Sequence, residues 1–246
     1  MANTFVGVDR GRDVWLAVAF DADGYDHSRV FEEIGELWSS YEETAALILV
    51  DMPIGLVESG ASGRRCDELA RSVLGPRRQA IFPPPVREAT RKRRYPAAKR
   101  VNERKSDASL SKQAFAISDQ IAAVDDLLRN VPEARATFRE SHPEVCFRAF
   151  AGEPLQHSKK TAGGYAERMR ALAEFDRDAP PTVQSVAEAT AGNRIPIPAV
   201  VDAVALGLTI RPGPGELRSL PVGPPEDERG LEMRYVYRSE TPLSEP

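Results

Sequence analysis

Two apolar runs that each end in an aspartate constrain this chain more than any other feature. Thr4-Phe5-Val6-Gly7-Val8 leads into Asp9, and Ala45-Ala46-Leu47-Ile48-Leu49-Val50 leads into Asp51. Runs of this length read as strands, and the second, apolar throughout, as a strand covered on both faces. A polar turn and a further apolar run, Val14–Phe20, follow Asp9, which makes the start of the chain a hairpin. Two strands that terminate in Asp can bring two carboxylates to one edge of a sheet. Such an edge is suited to divalent cations and phosphodiester chemistry.

The rest of the chain supplies the elements around that edge. Strands are expected over Thr4–Asp9, Val14–Asp21 and Tyr25–Phe31, with Asp21-Ala22-Asp23-Gly24 as a turn, then a short helix near Glu32–Tyr41 and the strand into Asp51. A helix follows, with Ser62 as its N-cap, Cys66, Leu69, Ala70, Val73 and Leu74 on one face, and Gly75-Pro76 as its stop. The stretch at about 76–110 is interrupted by Pro83-Pro84-Pro85 and Pro96 and reads as a long loop with short helical pieces, an insertion from the main sheet. A helix is expected from Ser111 to about Asn130, with Leu110 and Phe115 stapling its start, then a core strand over Phe138–Phe150 and a helix over Tyr165–Phe175. Pro198 opens a last helix at N1, continuing through Leu206. A Pro/Gly-rich extension begins at about 212, and Met233–Tyr237 reads as an edge strand. The order βββαβ, αβ, α matches an α/β fold of the ribonuclease H-like type, a mixed five-stranded sheet flanked by helices, here with a basic insertion. One domain over residues 1–246 is expected.

Charge is segregated along the chain. The net charge is −4, but Arg77–Lys105 carries eleven Lys and Arg against two acids, a local +9 that leaves −13 elsewhere. Such a basic arm suits an anionic partner, although a run of this kind alone is more often a solvated surface. Arg77, Arg78, Arg87, Arg91 and Lys92 are candidates for phosphate contact, with Phe82 and Tyr95 available to pack or stack. No apolar stretch is long enough to span a bilayer and no signal peptide is apparent, so a cytoplasmic protein without a membrane partner is expected. Cys66 and Cys146 lack metal-ligand spacing and read as reduced core thiols, and Cys146 has no nucleophile context.

Four acids stand in apolar surroundings: Asp9, Asp51, Glu144 and Asp202. Asp202, within Ala199-Val200-Val201-Asp202-Ala203-Val204-Ala205-Leu206, must be paired, protonated or metal-bound. Any one of these acids alone reads equally well as a turn or cap residue, and Asp202 could pair with an Arg; the four together point to shared binding of Mg²⁺ or Mn²⁺. His142 reads as a structural hydrogen-bonding residue rather than a base. Ser158-Lys159-Lys160-Thr161 with Gly163-Gly164 could cradle a phosphate but lacks P-loop spacing.

These pieces resemble the DUF429 family, described as predicted nucleases with a ribonuclease H-like fold. The resemblance rests on Val6-Gly7-Val8-Asp9, Val50-Asp51-Met52-Pro53-Ile54-Gly55-Leu56, Arg65-Cys66-Asp67 with Ala70-Arg71, and Phe82-Pro83 with Pro85-Val86-Arg87. It continues through Leu110-Ser111 with Gln113, Ile121 with Val124-Asp125, Ser141-His142-Pro143-Glu144 with Phe147, Ser158-Lys159-Lys160-Thr161 and Asp202-Ala203-Val204-Ala205-Leu206. It implies a metal-dependent nuclease site carried by Asp9, Asp51, Glu144 and Asp202. One departure stands beside Asp9: where the family often has Gly-Gly-Trp, this chain has Arg12-Asp13-Val14-Trp15, so Asp13 either adds a charge or closes the turn.

Three readings follow. The first is a Mg²⁺/Mn²⁺-dependent nuclease acting on DNA or RNA by a two-metal carboxylate mechanism, with Arg87 and Lys159 or Lys160 positioning phosphate. The second is a nucleotide-binding phosphotransferase or ATPase of the actin and sugar-kinase type. The third is a non-catalytic nucleic-acid-binding module on the same fold.

Overall fold

In a computed structural model, residues 3–11, 13–60 and 63–244 are described. The first half comprises β1 (Thr4–Arg10), β2 (Trp15–Phe20), β3 (Tyr25–Phe31), α1 (Ile34–Tyr41), β4 (Ala45–Val50), α2 (Arg65–Leu74), a 3₁₀ turn (Gly75–Ala80), α3 (Arg87–Thr90), α4 (Tyr95–Ser106), α5 (Lys112–Ala116) and α6 (Ser118–Asn130). The second comprises α7 (Pro132–Thr137), β5 (Phe138–Glu140), α8 (Pro143–Ala151), α9 (Ala162–Phe175), α10 (Ala179–Ala189), α11 (Ile197–Ile210), β6 (Glu216–Leu220) and β7 (Tyr235–Ser239).

The sheet is mixed and five-stranded, as expected, and its strands lie in the order β3-β2-β1-β4-β5. The first three form an antiparallel meander, and β4 and β5 add in parallel to β1 and β4. Both faces are covered. Val6, Val8 and Ile48 pack toward α1 and α6 through Leu37, Trp38, Ile121 and Val124. Leu16, Val18 and Phe20 pack the other way, against Val200, Val204 and Leu208 of α11 and Val183 of α10. Every residue of β2 is buried, because period-two alternation sends its side chains into one or the other of these layers.

Several elements differ from expectation. The strand foreseen over Phe138–Phe150 is a three-residue strand followed by α8. His142 caps that helix by accepting from the Glu144 amide (3.2 Å), and Pro143, which has no N–H to satisfy, fits its first turn. Glu144 therefore stands on a helix start. The long helix from Ser111 is interrupted at Ile117 (φ −113°), and Ser111 caps its first piece through the Ala114 amide. Pro96 does not break structure but occupies the first turn of α4, twelve residues long. Pro198 is the second residue of α11, whose cap is Pro196. Ser62 lies outside the described residues, and the N-cap position of α2 is Arg64, whose side chain makes no capping hydrogen bond. No expectation covered α10, which opens on Ala179-Pro180-Pro181. The final strand is Tyr235–Ser239, and it pairs with Glu216–Leu220 in a separate two-stranded ribbon instead of edging the main sheet.

Candidate active site

Register places the first two acids. Val8 of β1 pairs with Val50 of β4, and the Asp51 amide donates to the Val8 carbonyl (3.0 Å), so Asp9 and Asp51 leave adjacent parallel strands side by side. Gly7 and Asp9 share a face of β1 by period-two alternation. Gly7 shows which face it is: a Cβ there would lie 2.1 Å from the Ala203 carbonyl oxygen and 2.2 Å from the Gly207 nitrogen. That face is covered by α11, the helix that carries Asp202. The missing side chain lets the helix backbone approach the strand, bringing a third carboxylate over the first two.

Asp9 and Asp202 both respond to the charges around them. Burial, then the negative charges of Asp51 and Asp202, push the Asp9 carboxyl well above the usual range; Lys159 and the Arg10 amide (2.6 Å to Oδ1) pull the other way. Asp202 is fully buried and raised chiefly by that burial, with Lys159 opposing and Asp51 and Glu144 adding to it. The Lys159 ammonium donates to Asp202 Oδ2, while Asp202 Oδ1 has no hydrogen-bond partner. Burial works against the charge on Lys159, yet Asp202, Asp9 and Asp51 together hold its pKa above the usual lysine range. One ammonium thus faces three carboxylates.

Glu144 is also buried, but its charge is matched. Arg168 Nη2 donates to its Oε1 (2.5 Å), and Arg77 stands 3.9 Å away. Arg168 is fixed in turn by donating to the Gly164 carbonyl (2.7 Å) and by lying over the Phe147 ring. Glu144 Oε2 is unpartnered. Sequence reading missed Arg168. Only its place on α9, four residues after Gly164 and so facing the loop that carries Lys159, could have signalled it.

The other candidates divide. Lys160 and Arg78 are exposed. Arg87 does not face the acids; it is buried and spends its guanidinium on Asp125 (3.1 Å), Glu58 (2.9 Å) and Asp227. Arg91 bonds Asp125 and Asp126, and Lys92 bonds Glu88. Tyr95 stacks edge-on against Phe115 and donates to the Leu110 carbonyl (2.8 Å), inside the arm's own small core, with Phe82 packed beside it. Asp13 is exposed beside the turn closed by Gly11 N–H to Val14 O (2.8 Å), and Arg12 lies outside the described residues. Cys66 and Cys146 are free and buried, and burial pushes the Cys146 thiol up to about 11, so neither is a nucleophile at neutral pH.

A second buried ionic group, Arg64 with Glu140 and Asp67, flanks the site on the β5 side. The Ile54 amide and Arg64 both donate to Glu140, and Tyr235 donates to Asp67 (2.8 Å). This group shapes the loop after Asp51.

Among the described residues, no three Asp, Glu, His or Cys side chains converge on one cation position as they stand. In donor type and charge the residues nevertheless fit a hard divalent ion. The donors are carboxylate oxygens, one of them buried and unpartnered, and the group carries more negative charge than Lys159 offsets. Among the described residues no helix is long and apolar enough to cross a membrane.

No curated protein and no solved structure matches this chain. A family model described as "Protein of unknown function (DUF429)" matches residues 7–226, a span that includes Asp9, Asp51, Glu144, Lys159, Arg168 and Asp202. With nearly its whole length matched, the chain belongs to the DUF429 family.

Proposed function

We propose that the protein is a nuclease that hydrolyses phosphodiester bonds with the help of Mg²⁺ or Mn²⁺. The observation that carries this reading is the charge imbalance at the sheet edge: Asp9, Asp51 and Asp202 share the single ammonium of Lys159. Asp9 and Asp202 are held out of water with Asp51 beside them, and one ammonium for three carboxylates calls for protons or cations. Asp9, Asp51 and Asp202 would hold the cation, with Glu144 close by. Bound there, a divalent ion supplies Lewis-acid stabilisation and a nucleophilic water at neutral pH. Lys159 carries a positive charge that can pass from Asp202 to a phosphate oxygen of the substrate, since its four-carbon stem swings and its head is partly exposed. Arg77, half-buried near Glu144, can hold the strand on the arm side of the acids.

The test is Mn²⁺ calorimetry on the wild type, Asp9→Asn and Asp202→Asn, with folding checked by circular dichroism. Binding in the micromolar range by the wild type, weakened at least about tenfold in both variants, is the expected result. An absence of binding by the wild type, with or without an oligonucleotide, removes the hydrolytic reading. A second reading, a nucleic-acid-binding module without catalysis, is favoured by Arg78, Arg93, Arg94 and Arg100, which are exposed and have no ion pair among the described residues. It requires strand binding that survives both substitutions in a protein that never cleaves.

A further inference from the structure

A cleft of about 290 Å³ opens between the N-terminal ends of α9 and α11, lined mainly by Lys159, Thr161, Tyr165, Arg168, Ile197 and Val201. It shares a wall with the acid group. Lys159, which holds Asp202, and Arg168, which holds Glu144, both line it, and Val201 precedes Asp202 on α11.

Three observations make this cleft more than a gap between helices. Among the described residues four large apolar side chains are exposed, and two of them, Tyr165 (41 %) and Ile197 (64 %), stand at this one cleft. Arg168 is 1 % exposed, lines the cleft, and has an Nε with no hydrogen-bond partner. The charged side chains on the wall are all cationic: Lys160 is exposed, and Lys159 and Arg168 reach it from their pairs with Asp202 and Glu144. An apolar floor with an aromatic ring and a cationic rim matches a flat, π-faced group tied to a phosphate.

We propose that this cleft receives an unpaired nucleobase of a single strand, the one next to the phosphate that lies over Asp9, Asp51 and Asp202. The base stacks on Tyr165 against Ile197, and its phosphate lies toward Lys159. A base within a duplex is stacked on its neighbours and is not available to the ring, so the cleft selects single-stranded or frayed nucleic acid over intact duplex. The assignment deepens the nuclease reading and rests on it for the place of the phosphate.

The test separates the two. In EDTA, where no cleavage occurs, fluorescence anisotropy measures binding of a short labelled single-stranded oligonucleotide and of a blunt duplex of the same sequence. Because both side chains are exposed, Tyr165→Ala and Ile197→Ser leave the fold intact, which thermal melting checks. Tyr165→Ala is expected to weaken single-strand binding by about tenfold, with Ile197→Ser lowering it in the same direction, while duplex binding and the Mn²⁺ isotherm stay unchanged and Tyr165→Trp restores affinity. No single-strand binding by the wild type, an unchanged affinity in Tyr165→Ala, or an equal loss on the duplex overturns the proposal. Displacement of the strand by AMP at equal affinity overturns it in favour of a free mononucleotide. Absence of Mn²⁺ binding with a Tyr165-dependent strand affinity sinks the hydrolase and leaves the cleft; intact Mn²⁺ binding with no Tyr165 effect sinks the cleft alone.

Discussion

At Asp9 burial and neighbouring negative charge act in the same direction. Both push its carboxyl up, and the ammonium of Lys159 and the amide of Arg10 only partly oppose them. The folded state therefore binds the Asp9 proton more tightly than the unfolded state, in which the carboxyl titrates near 3.8. The sign follows: the folded protein is penalised in full above the raised value, and the penalty is relieved as pH falls through that value toward the unfolded one. Asp9→Asn removes the penalty and keeps an oxygen for the Arg10 amide. It is expected to raise stability at pH 7 by about 1 kcal/mol, the scale on which functional sites give up stability for activity. The gain should shrink as pH falls and vanish near the unfolded carboxylate value. Urea unfolding across that range reads it directly. A loss of stability at pH 7 would mean that Lys159 outweighs burial and the two other acids, and that the site is already neutral in effect. Asp51, half-buried one step along from the same pair of strands, is the weaker choice for this experiment because water reaches it.

One step up in scale, the site depends on how closely α11 lies on β1. Gly7 and Gly207 meet across this contact; a Cβ on Gly207 would press to 2.4 Å on the Phe20 ring, and one on Gly7 would press on helix backbone. A ring can tilt, but the backbone of a buried helix cannot give way locally. Gly7→Ala is thus expected to cost about 3 kcal/mol, the upper end of overpacking, and to weaken Mn²⁺ binding because Asp202 is lifted away from Asp9. Gly207→Ala should cost less and leave Mn²⁺ binding nearly unchanged, since the Phe20 ring takes up the strain. Chemical denaturation and calorimetry on the pair check both halves, and equal effects would mean that the helix does not set the distance between the acids. These elements also show how far the sequence could be read. β1, β2 and β4 are legible as apolar runs of strand length, and Asp9 and Asp51 are visible because each closes such a run; β3, largely polar, is marked by the turn before it at Asp21–Gly24. Glu144 stands on a helix where a strand is expected because the apolar run beside it, Val145-Cys146-Phe147, is too short to separate strand from buried helix. The decisive mark was Pro143, tolerated at a helix start but foreign to a central strand. Arg168 is hard to see because its partner is twenty-four positions away in sequence and its spacing of four from Gly164 is the one local mark. Arg87 was read as a phosphate contact from its basic neighbours, whereas its acids come from three distant segments.

Across the molecule, Arg87 ties the basic arm to the body. Glu58 lies in the loop after β4, Asp125 sits on α6, and Asp227 lies between β6 and β7, so a single guanidinium joins three parts of the chain. Asp227 in turn accepts the amides of Leu56 (2.9 Å) and Leu231 (2.9 Å), which holds the C-terminal segment against the loop beside Asp51. This division of labour splits the arm's charge into two kinds. Arg87, Arg91, Lys92, Lys99, Arg104 and Lys105 are engaged with acids and Arg77 stands 3.9 Å from Glu144 at the acid site, whereas Arg78, Arg93, Arg94 and Arg100 project into solvent with no ion pair among the described residues. Only the second kind is available to release counterions from a strand. Replacing Arg93, Arg94 and Arg100 together by Gln is therefore expected to leave the melting temperature nearly unchanged and to make the slope of log K against log salt less negative by about 2, at roughly 0.7 per lost phosphate contact on a single strand. Arg87→Gln is the converse case. It strands Asp227 in the interior and leaves Asp125 to Arg91 and Arg129 alone, costs about 3–5 kcal/mol, and in the fraction that remains folded leaves the salt slope where it was. A slope that responds to Arg87 and not to the exposed trio would show that the arm reorganises on binding and that its buried arginine, released from its three acids, reaches the strand after all.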